Sequence, residues 1–258
     1  MKRKHLYEMT WQEAEKAIES SKGVAIIPVG SIEQHGPHLP VGTDSFVAIG
    51  LADAALEQTD VLVCPPLWLG YCPHHMVLPG SISIRPEILI GLAYDVMKSL
   101  HTHGVDKFIF INGHRIVNII WLQLAAEKAQ NELGVKVKIF DPAYMSKELI
   151  EATEGMGPVG HAEEIESSHM MVLHPELTHM ELAEDHPVKA TELYSVDPGY
   201  PKDTLCYVPT ACSEAAKHVA ETKGVSGCPT KSNKEFGQKY HDYLTARLLQ
   251  VIEALRSE

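Results

Sequence analysis

Three short apolar runs limit what this chain can fold into: VAIIPV at 24–29, KFIFI at 107–111 and KVKIF at 136–140. The first two have the length and the β-branched or aromatic content of buried strands, and the third reads as a further strand. A helix is expected from Pro86, in the N1 position, to about His103, with Gly104 at its C-cap. A second runs through Leu122 to about Asn131 and closes at Gly134. Strand–helix–strand–helix–strand is the signature of parallel α/β organisation.

The remaining stretches fit around this frame. Thr10-Trp11-Gln12-Glu13 has the form of a capping box and opens a helix to about Ser20. Phe46, Ile49, Ala52 and Leu56 set an amphipathic helix over 45–56. A strand over 60–66 is stopped by Pro65 and Pro66. Residues 69–83 hold Tyr71, His74, His75, Pro79 and Gly80. They are too irregular for an element and too long for a simple turn, as functional loops often are. Residues 141–160 read as mixed with a short helix, and 162–173 as a helix stopped before Pro175. Residues 184–230 read as turn-rich, and 234–255 as a long amphipathic helix. With 258 residues, 45% of them hydrophobic, the chain is large enough for one α/β domain with a proper core. No repeat or linker divides 1–258.

Charge and cysteine content exclude several classes. The net charge is -12, with no basic block, so nucleic acid is not an expected partner. No apolar run approaches the roughly 18 residues of a membrane span. The basic N-terminus lacks the apolar region of a signal peptide. Cys64, Cys72, Cys206, Cys212 and Cys228 form no C-x-x-C pair and leave one over, which reads as a reduced, cytoplasmic protein.

The chemistry-bearing residues cluster where elements begin and end. Glu33, His35 and Asp44 follow the first strand, His114 follows Asn112-Gly113 after the second, and His161 to Glu166 opens a helix. Parallel strands gather their carboxyl ends on one side of a sheet. Together these residues offer a first shell for one or two divalent ions. Bland readings stand beside this one. E-x-H also suits a solvated turn, and His114 a helix cap. His74-His75 suits a surface pair, while His169, His174 and His179 suit structural or exposed positions. Glu163 and Glu164 are expected in a solvated first turn favoured by the helix dipole. Arg115 is expected either to meet an anionic group of a substrate or, preferably, to form a surface ion pair.

G-S-I-E-Q-H-G-P-H-L-P-x-x-T-D at 30–44 resembles the opening motif of the creatininase (creatinine amidohydrolase) family. Pro73-His74-His75-Met76-Val77-Leu78-Pro79-Gly80-Ser81 is similar to its E-H-x-x-F-P-G-T loop. Asn112-Gly113-His114 resembles its N-G-H motif, and 161–168 its H-A-G-E-x-E-T-S helix. Gly224 to Pro229 resembles its late G-V-x-G-D-P turn. The resemblance implies a single α/β domain with a mostly parallel sheet flanked by helices. It also implies two divalent metal ions (Zn or Mn, with Fe as a third candidate) and a homo-oligomer, a hexamer favoured. Carried over, Glu33, His35, Asp44, His114 and Glu166 are the metal ligands, with Asp44 bridging and Glu166 also catalytic. His161 is a proton shuttle, and His75 lies at the pocket edge. His75, Tyr144 and Arg115 are candidate contacts to a small-molecule substrate.

The departures bear on the substrate. Creatinine-cleaving members carry a carboxylate two places after the N-G-H histidine, where this chain has Ile116. They also flank the ring with tryptophans ahead of the H-A helix, whereas this chain has only Trp11, Trp68 and Trp121. A metal-dependent hydrolase of a small polar cyclic substrate other than creatinine is therefore expected. His74-His75 and the H-A-x-E-x-E-x-S pattern resemble a branch that opens diketo-inositol rings by C–C hydrolysis. A rival of another class is a non-catalytic, metal-stabilised binding protein whose pocket Arg115 and Ile116 fill.

Overall fold

A computed structural model of the chain describes residues 5–187 and 211–258, with the backbone of two short strands between them, Tyr194–Ser195 and Cys206–Tyr207, which pair in parallel. The main sheet of the described residues contains β1 (Val24–Val29), β2 (Leu62–Val63), β3 (Lys107–Asn112) and β4 (Lys136–Phe140). Its order is β2-β1-β3-β4, and every pairing is parallel. The small strands just noted are β5 and β6 in chain order. The helices are α1 (Trp11–Ser20), α2 (Thr43–Gln58), α3 (Pro86–His101) and α4 (Ile119–Leu133), then α5 (Pro142–Met145), α6 (Lys147–Glu151), α7 (Glu164–Leu173), α8 (Cys212–Glu221) and α9 (Lys234–Ser257).

The period-two alternation of the central strands divides the core into two layers. Val24 and Ile26 of β1, with Ile109 and Ile111 of β3, pack on Val47 and Leu51 of α2, Ile165 of α7 and Leu244 and Leu248 of α9. Ala25, Ile27, Phe108 and Phe110 point the other way, onto Leu89 and Met97 of α3 and Trp121 and Leu122 of α4. Both faces of β1 and β3 are covered, which is why these two strands read as nearly continuous apolar runs, whereas β4 at the sheet edge keeps Lys136 and Lys138. The result is the expected α/β fold, a mostly parallel sheet flanked by helices.

Several boundaries differ from the sequence expectation. The strand expected over 60–66 shrinks to Leu62–Val63, because Pro65 and Pro66 bring no N–H to a ladder. Helix α2 begins at Thr43, so Asp44 lies in its first turn and not in the preceding loop. Helix α7 begins at Glu164, and α3 ends at His101. The stretch read as turn-rich contains α8, whose only buried residue is Val219. The remainder of that stretch, 188–210, lies outside the described residues apart from the two strand backbones. Cys64, Cys72, Cys212 and Cys228 are free thiols; the side chain of Cys206 lies outside the described residues. No helix among the described residues is long and apolar enough to cross a membrane.

The order β2-β1-β3-β4 puts a topological switch between β1 and β3, where ligands bind in open α/β sheets. Gly30 and Gly113 end these two strands. A Cβ on Gly113 would lie 1.8 Å from the Asp44 carbonyl oxygen, and one on Gly30 2.2 Å from Ser45 Oγ. Glycine at both positions lets the first turn of α2 descend onto the strand ends.

Gly113→Ala is expected to lower the unfolding free energy by about 1–3 kcal/mol, the usual cost of overpacking. Gly91→Ala, where an added Cβ in α3 meets nothing within 4 Å, is expected to raise it by roughly 0.5–1 kcal/mol. Urea unfolding measures both, and a neutral Gly113→Ala contradicts the close seating of α2.

Candidate metal centre

The loop leaving β1 is tied down before it reaches the site. Glu33 N–H donates to the Val41 carbonyl (2.9 Å) and Gln34 N–H to Ser81 Oγ (3.0 Å). His35 Nδ1 lies 3.1 Å from the Glu33 carbonyl oxygen. A proton there leaves Nε2 as a bare lone pair. His114, just past β3, does the same in mirror fashion, with Nε2 3.3 Å from the Tyr71 carbonyl and Nδ1 turned inward. Asp44 comes from the first turn of α2 and Glu166 from the first turn of α7. Glu33, His35, Asp44, His114 and Glu166 are at most 6% exposed.

These side chains meet around Asp44. Its Oδ1 lies 3.1 Å from His35 Nε2, and its Oδ2 lies 3.1 Å from His114 Nδ1. Glu33 Oε1 adds to the His114 side at 3.3 Å, and Glu166 Oε2 to the His35 side at 3.7 Å. Two donor groups follow, Glu33/Asp44/His114 and His35/Asp44/Glu166, each with its ligand atoms within 4.8 Å of one another. Asp44 belongs to both. Glu33, His35 and His161 form a third such group. Yet both Glu33 oxygens, Asp44 Oδ2 and His35 Nε2 are buried without a well-directed hydrogen bond. Buried polar atoms are ordinarily satisfied. Carboxylate and imidazole atoms converging in this way fit divalent cations, whose binding would displace protons from the histidines.

The electrostatics are those of crowded buried charge. Burial and Asp44 push the Glu33 carboxyl up to about 7, against the pull of His114 and His35. Burial disfavours the charged form of His35, but Asp44, Glu166 and Glu33 push it up to about 10. His114 is likewise pushed up to about 9 by Glu33 and Asp44. Burial alone would raise Asp44, but the two histidines hold it well below the usual carboxylate range. Burial and the neighbouring histidines hold His75 and His161 well below the ordinary imidazole value.

A cavity of about 600 Å³ reaches this cluster, lined by His75, His114, His161 and Glu166 at its floor. His161 Nε2 lies 2.7 Å from the Gln34 carbonyl, and its Nδ1 is 3.7 Å from Glu33 Oε1. His75 is buried with Nε2 3.3 Å from Glu33 Oε1. His74 is half-buried beside it, so the two are not a surface pair. Tyr144 is not brought to this cavity; it lines a separate surface hollow with Lys147, Tyr243 and Arg247. His169 is buried on His241, and His179 is exposed.

Two expectations about charge are overturned. Glu163 and Glu164 are not a solvated first turn; they are 0% and 3% exposed. Glu164 accepts from the Gly157 and Cys228 N–H groups, both at 2.7 Å, and ties two loops together. Glu163 is covered because Arg115 lies on it: Nη1 donates to Oε1 (2.9 Å) and Nη2 to Oε2 (3.0 Å). Arg115 is therefore a buried ion pair, not a surface one, and it also reaches Glu166 Oε1 at 2.6 Å. Sequence reasoning missed Gln34, whose Nε2 sits 2.6 Å from His75 Nδ1 and 3.1 Å from His161 Nε2. Its place between Glu33 and His35 was the available signal. Cys212, Glu214 and His218 of α8, which line the cavity mouth, were missed along with their helix.

The family model for creatininase (creatinine amidohydrolase) matches residues 7–252. Creatinine amidohydrolase of Pseudomonas putida is 28% identical over 251 residues, 89% of this chain and 96% of that protein. The 3-dehydro-scyllo-inosose hydrolase of Thermotoga maritima is 33% identical over 167 residues. That match covers 62% of this chain but only 53% of the relative, about half its length. Among solved structures, a mutant creatininase of Zn-Zn type has a TM-score of 0.80 at 23% identity, covering 97% of this chain and 98% of that one. A creatininase with Mn gives the same values. The chain belongs to the creatininase family and has its fold.

Arg115→Met strands buried Glu163 and Glu166 without their cation. It is expected to lower stability by about 3–5 kcal/mol, the cost of breaking a buried pair. Chemical denaturation checks this, and a loss below about 1 kcal/mol, the range of exposed pairs, contradicts the burial of the pair.

Proposed function

We propose that this creatininase-family chain is a divalent-metal-dependent hydrolase of a small polar cyclic substrate other than creatinine. The observation that carries the reading is Asp44, whose two oxygens face separate donor groups in a buried cluster with unsatisfied lone pairs. Glu33, Asp44 and His114 would hold one ion, and His35, Asp44 and Glu166 the other, Zn or Mn with Fe as a third candidate. When bound, such ions lower the pKa of water and polarise a carbonyl, chemistry that serves an amide and a β-diketone equally.

The chain's own residues supply the rest. His161, held by the Gln34 carbonyl at Nε2, keeps Nδ1 on the cluster side, where it can carry a proton to the leaving group. His75, backed by Gln34, lines the floor and orients the substrate. Glu166 is both ligand and catalytic group through Oε2. Arg115 is a weaker candidate for a substrate contact, because its guanidinium is already committed to two carboxylates.

Three observations support a substrate other than creatinine. Trp121 is buried against Asn118. Trp68 lines a different hollow, and Trp11 is exposed. No tryptophan therefore offers this cavity a stacking platform. A second reading, C–C hydrolysis that opens a diketo-inositol-type ring, is favoured by the Thermotoga maritima relative. The non-catalytic rival is disfavoured, because Arg115 turns onto Glu163 and leaves the cavity of about 600 Å³ open.

A homo-oligomer, a hexamer favoured, is also proposed. Ile88 and Leu92 of α3 and Ile120 and Leu124 of α4 are 44–67% exposed, more apolar surface than a monomer usually presents. Light scattering is expected to give a multiple of the chain mass, reduced by Ile120→Glu/Leu124→Glu; a monomeric parent contradicts it.

Elemental analysis is expected to find about two equivalents of divalent metal, lost in His35→Ala and Asp44→Ala together with turnover. The substrate panel is creatinine, other lactams and hydantoins, formamides and an oxidised inositol. Turnover of one class selects C–N or C–C cleavage. No metal retention after reconstitution with Zn²⁺ or Mn²⁺, or full activity in a metal-free variant, overturns the proposal.

A further inference from the structure

We propose that Arg115 and Glu163 form a positioning pair that fixes which oxygen of Glu166 is offered to a bound ion. The inference rests on the metal-centre reading above. Arg115 Nη2 lies 2.6 Å from Glu166 Oε1. Glu166 Oε2 accepts from the Ala162 N–H (2.7 Å) and is the oxygen facing His35 Nε2 at 3.7 Å. The two oxygens thus have different partners, the guanidinium for one and the cluster for the other. Arg115 is itself immobilised by the two-pronged contact to Glu163 and by a bond from Nη2 to the Gly160 carbonyl (3.3 Å). A planar guanidinium fork held at that many points has no second orientation.

The backbone is bent to bring this about. Ile116 has φ 67° and Ala162 φ 51°, both in the left-handed region. For a β-branched residue such as Ile116 that conformation is costly and persists only where surroundings enforce it. Here Asp141 enforces it: its Oδ2 accepts the Ile116 N–H (2.7 Å) and also Asn112 Nδ2 (2.7 Å). Asn112 is the last residue of β3, so the turn that aims Arg115 is anchored to the central sheet. Ala162, directly before Glu163, supplies the N–H that holds Glu166 Oε2. The strained residues therefore adjoin the two members of the pair.

Neither Arg115 nor Glu163 belongs to a donor group of the cluster. A buried pair kept only for stability is poorly justified, since apolar replacements usually serve as well. Contact with a ligand carboxylate gives the pair a function. With one oxygen tied to arginine, Glu166 ligates through the other alone, and more of its ion's coordination is left for water or substrate.

The test compares Arg115→Met/Glu163→Gln and Arg115→Lys with the parent protein, with both buried charges removed together in the double variant. Stepwise Zn²⁺ affinities come from competition with a chromogenic chelator, and the Co²⁺ absorption spectrum reports coordination. The double variant is expected to bind one of two equivalents about 10–100-fold more weakly, with the other unchanged and the Co²⁺ band intensities altered. Arg115→Lys, which keeps the charge but not the fork, is expected to fall between. Unchanged affinities and spectrum, or equal weakening of both equivalents, overturn the inference. If the double variant does not fold, Arg115→Lys decides by the same criterion. A parent protein that takes up no Zn²⁺ overturns the metal reading itself, an outcome separate from the other two.

Discussion

Carboxylates buried together are the constraint on which the rest of the molecule depends. Glu33, Asp44, Glu163 and Glu166 are all at most 6% exposed. Each costs several kcal/mol to bury unless a positive partner is supplied. The fold meets that requirement by convergence. The two central parallel strands end side by side, α2 starts on top of them, and α7 packs against α2 on the same face of the sheet. His35 and His114 bring imidazoles between the carboxylates, and Arg115 takes Glu163 and one oxygen of Glu166. What remains uncompensated, on Glu33 and Asp44, is where the proposed ions would sit.

A second layer of polar residues makes that arrangement rigid. Gln34 spans His75 and His161, and the Glu33 and Tyr71 carbonyls set the ring orientation of His35 and His114. Asp141 locks the turn after β3 by accepting from Asn112, Ile116 and Ala143. Supports of this kind hold ligands in geometry before any ion arrives. They also explain why strained backbone at Ile116 and Ala162 persists.

How much of this was legible depended on the range of the interactions. The runs that became β1, β3 and β4, the capping box at Thr10 and the terminal helix were all readable, because strand and helix periods and caps are local signals. The gathering of Glu33, His35, Asp44, His114 and Glu166 could be anticipated from parallel topology. The surroundings of Glu163 could not. Its partner Arg115 lies 48 residues away, while the local pattern of acids at a helix start fits a solvated turn equally well. The start of α2 at Thr43, which takes in Asp44, is not legible because Gly42 and Thr43 carry little periodicity of their own. Tyr144 was placed by motif position alone, and nothing in its sequence neighbourhood says that α5 turns it toward Lys147 and away from the cluster.

The central claim is that Asp44 joins two cation sites. Anomalous scattering from crystals of the protein reconstituted with Zn²⁺ tests it most directly. The account predicts two peaks about 3.5–4 Å apart, as in two-metal sites generally, one bounded by Glu33 and His114 and the other by His35 and Glu166, with an Asp44 oxygen on each. A single peak, or two peaks of which only one touches Asp44, would contradict it.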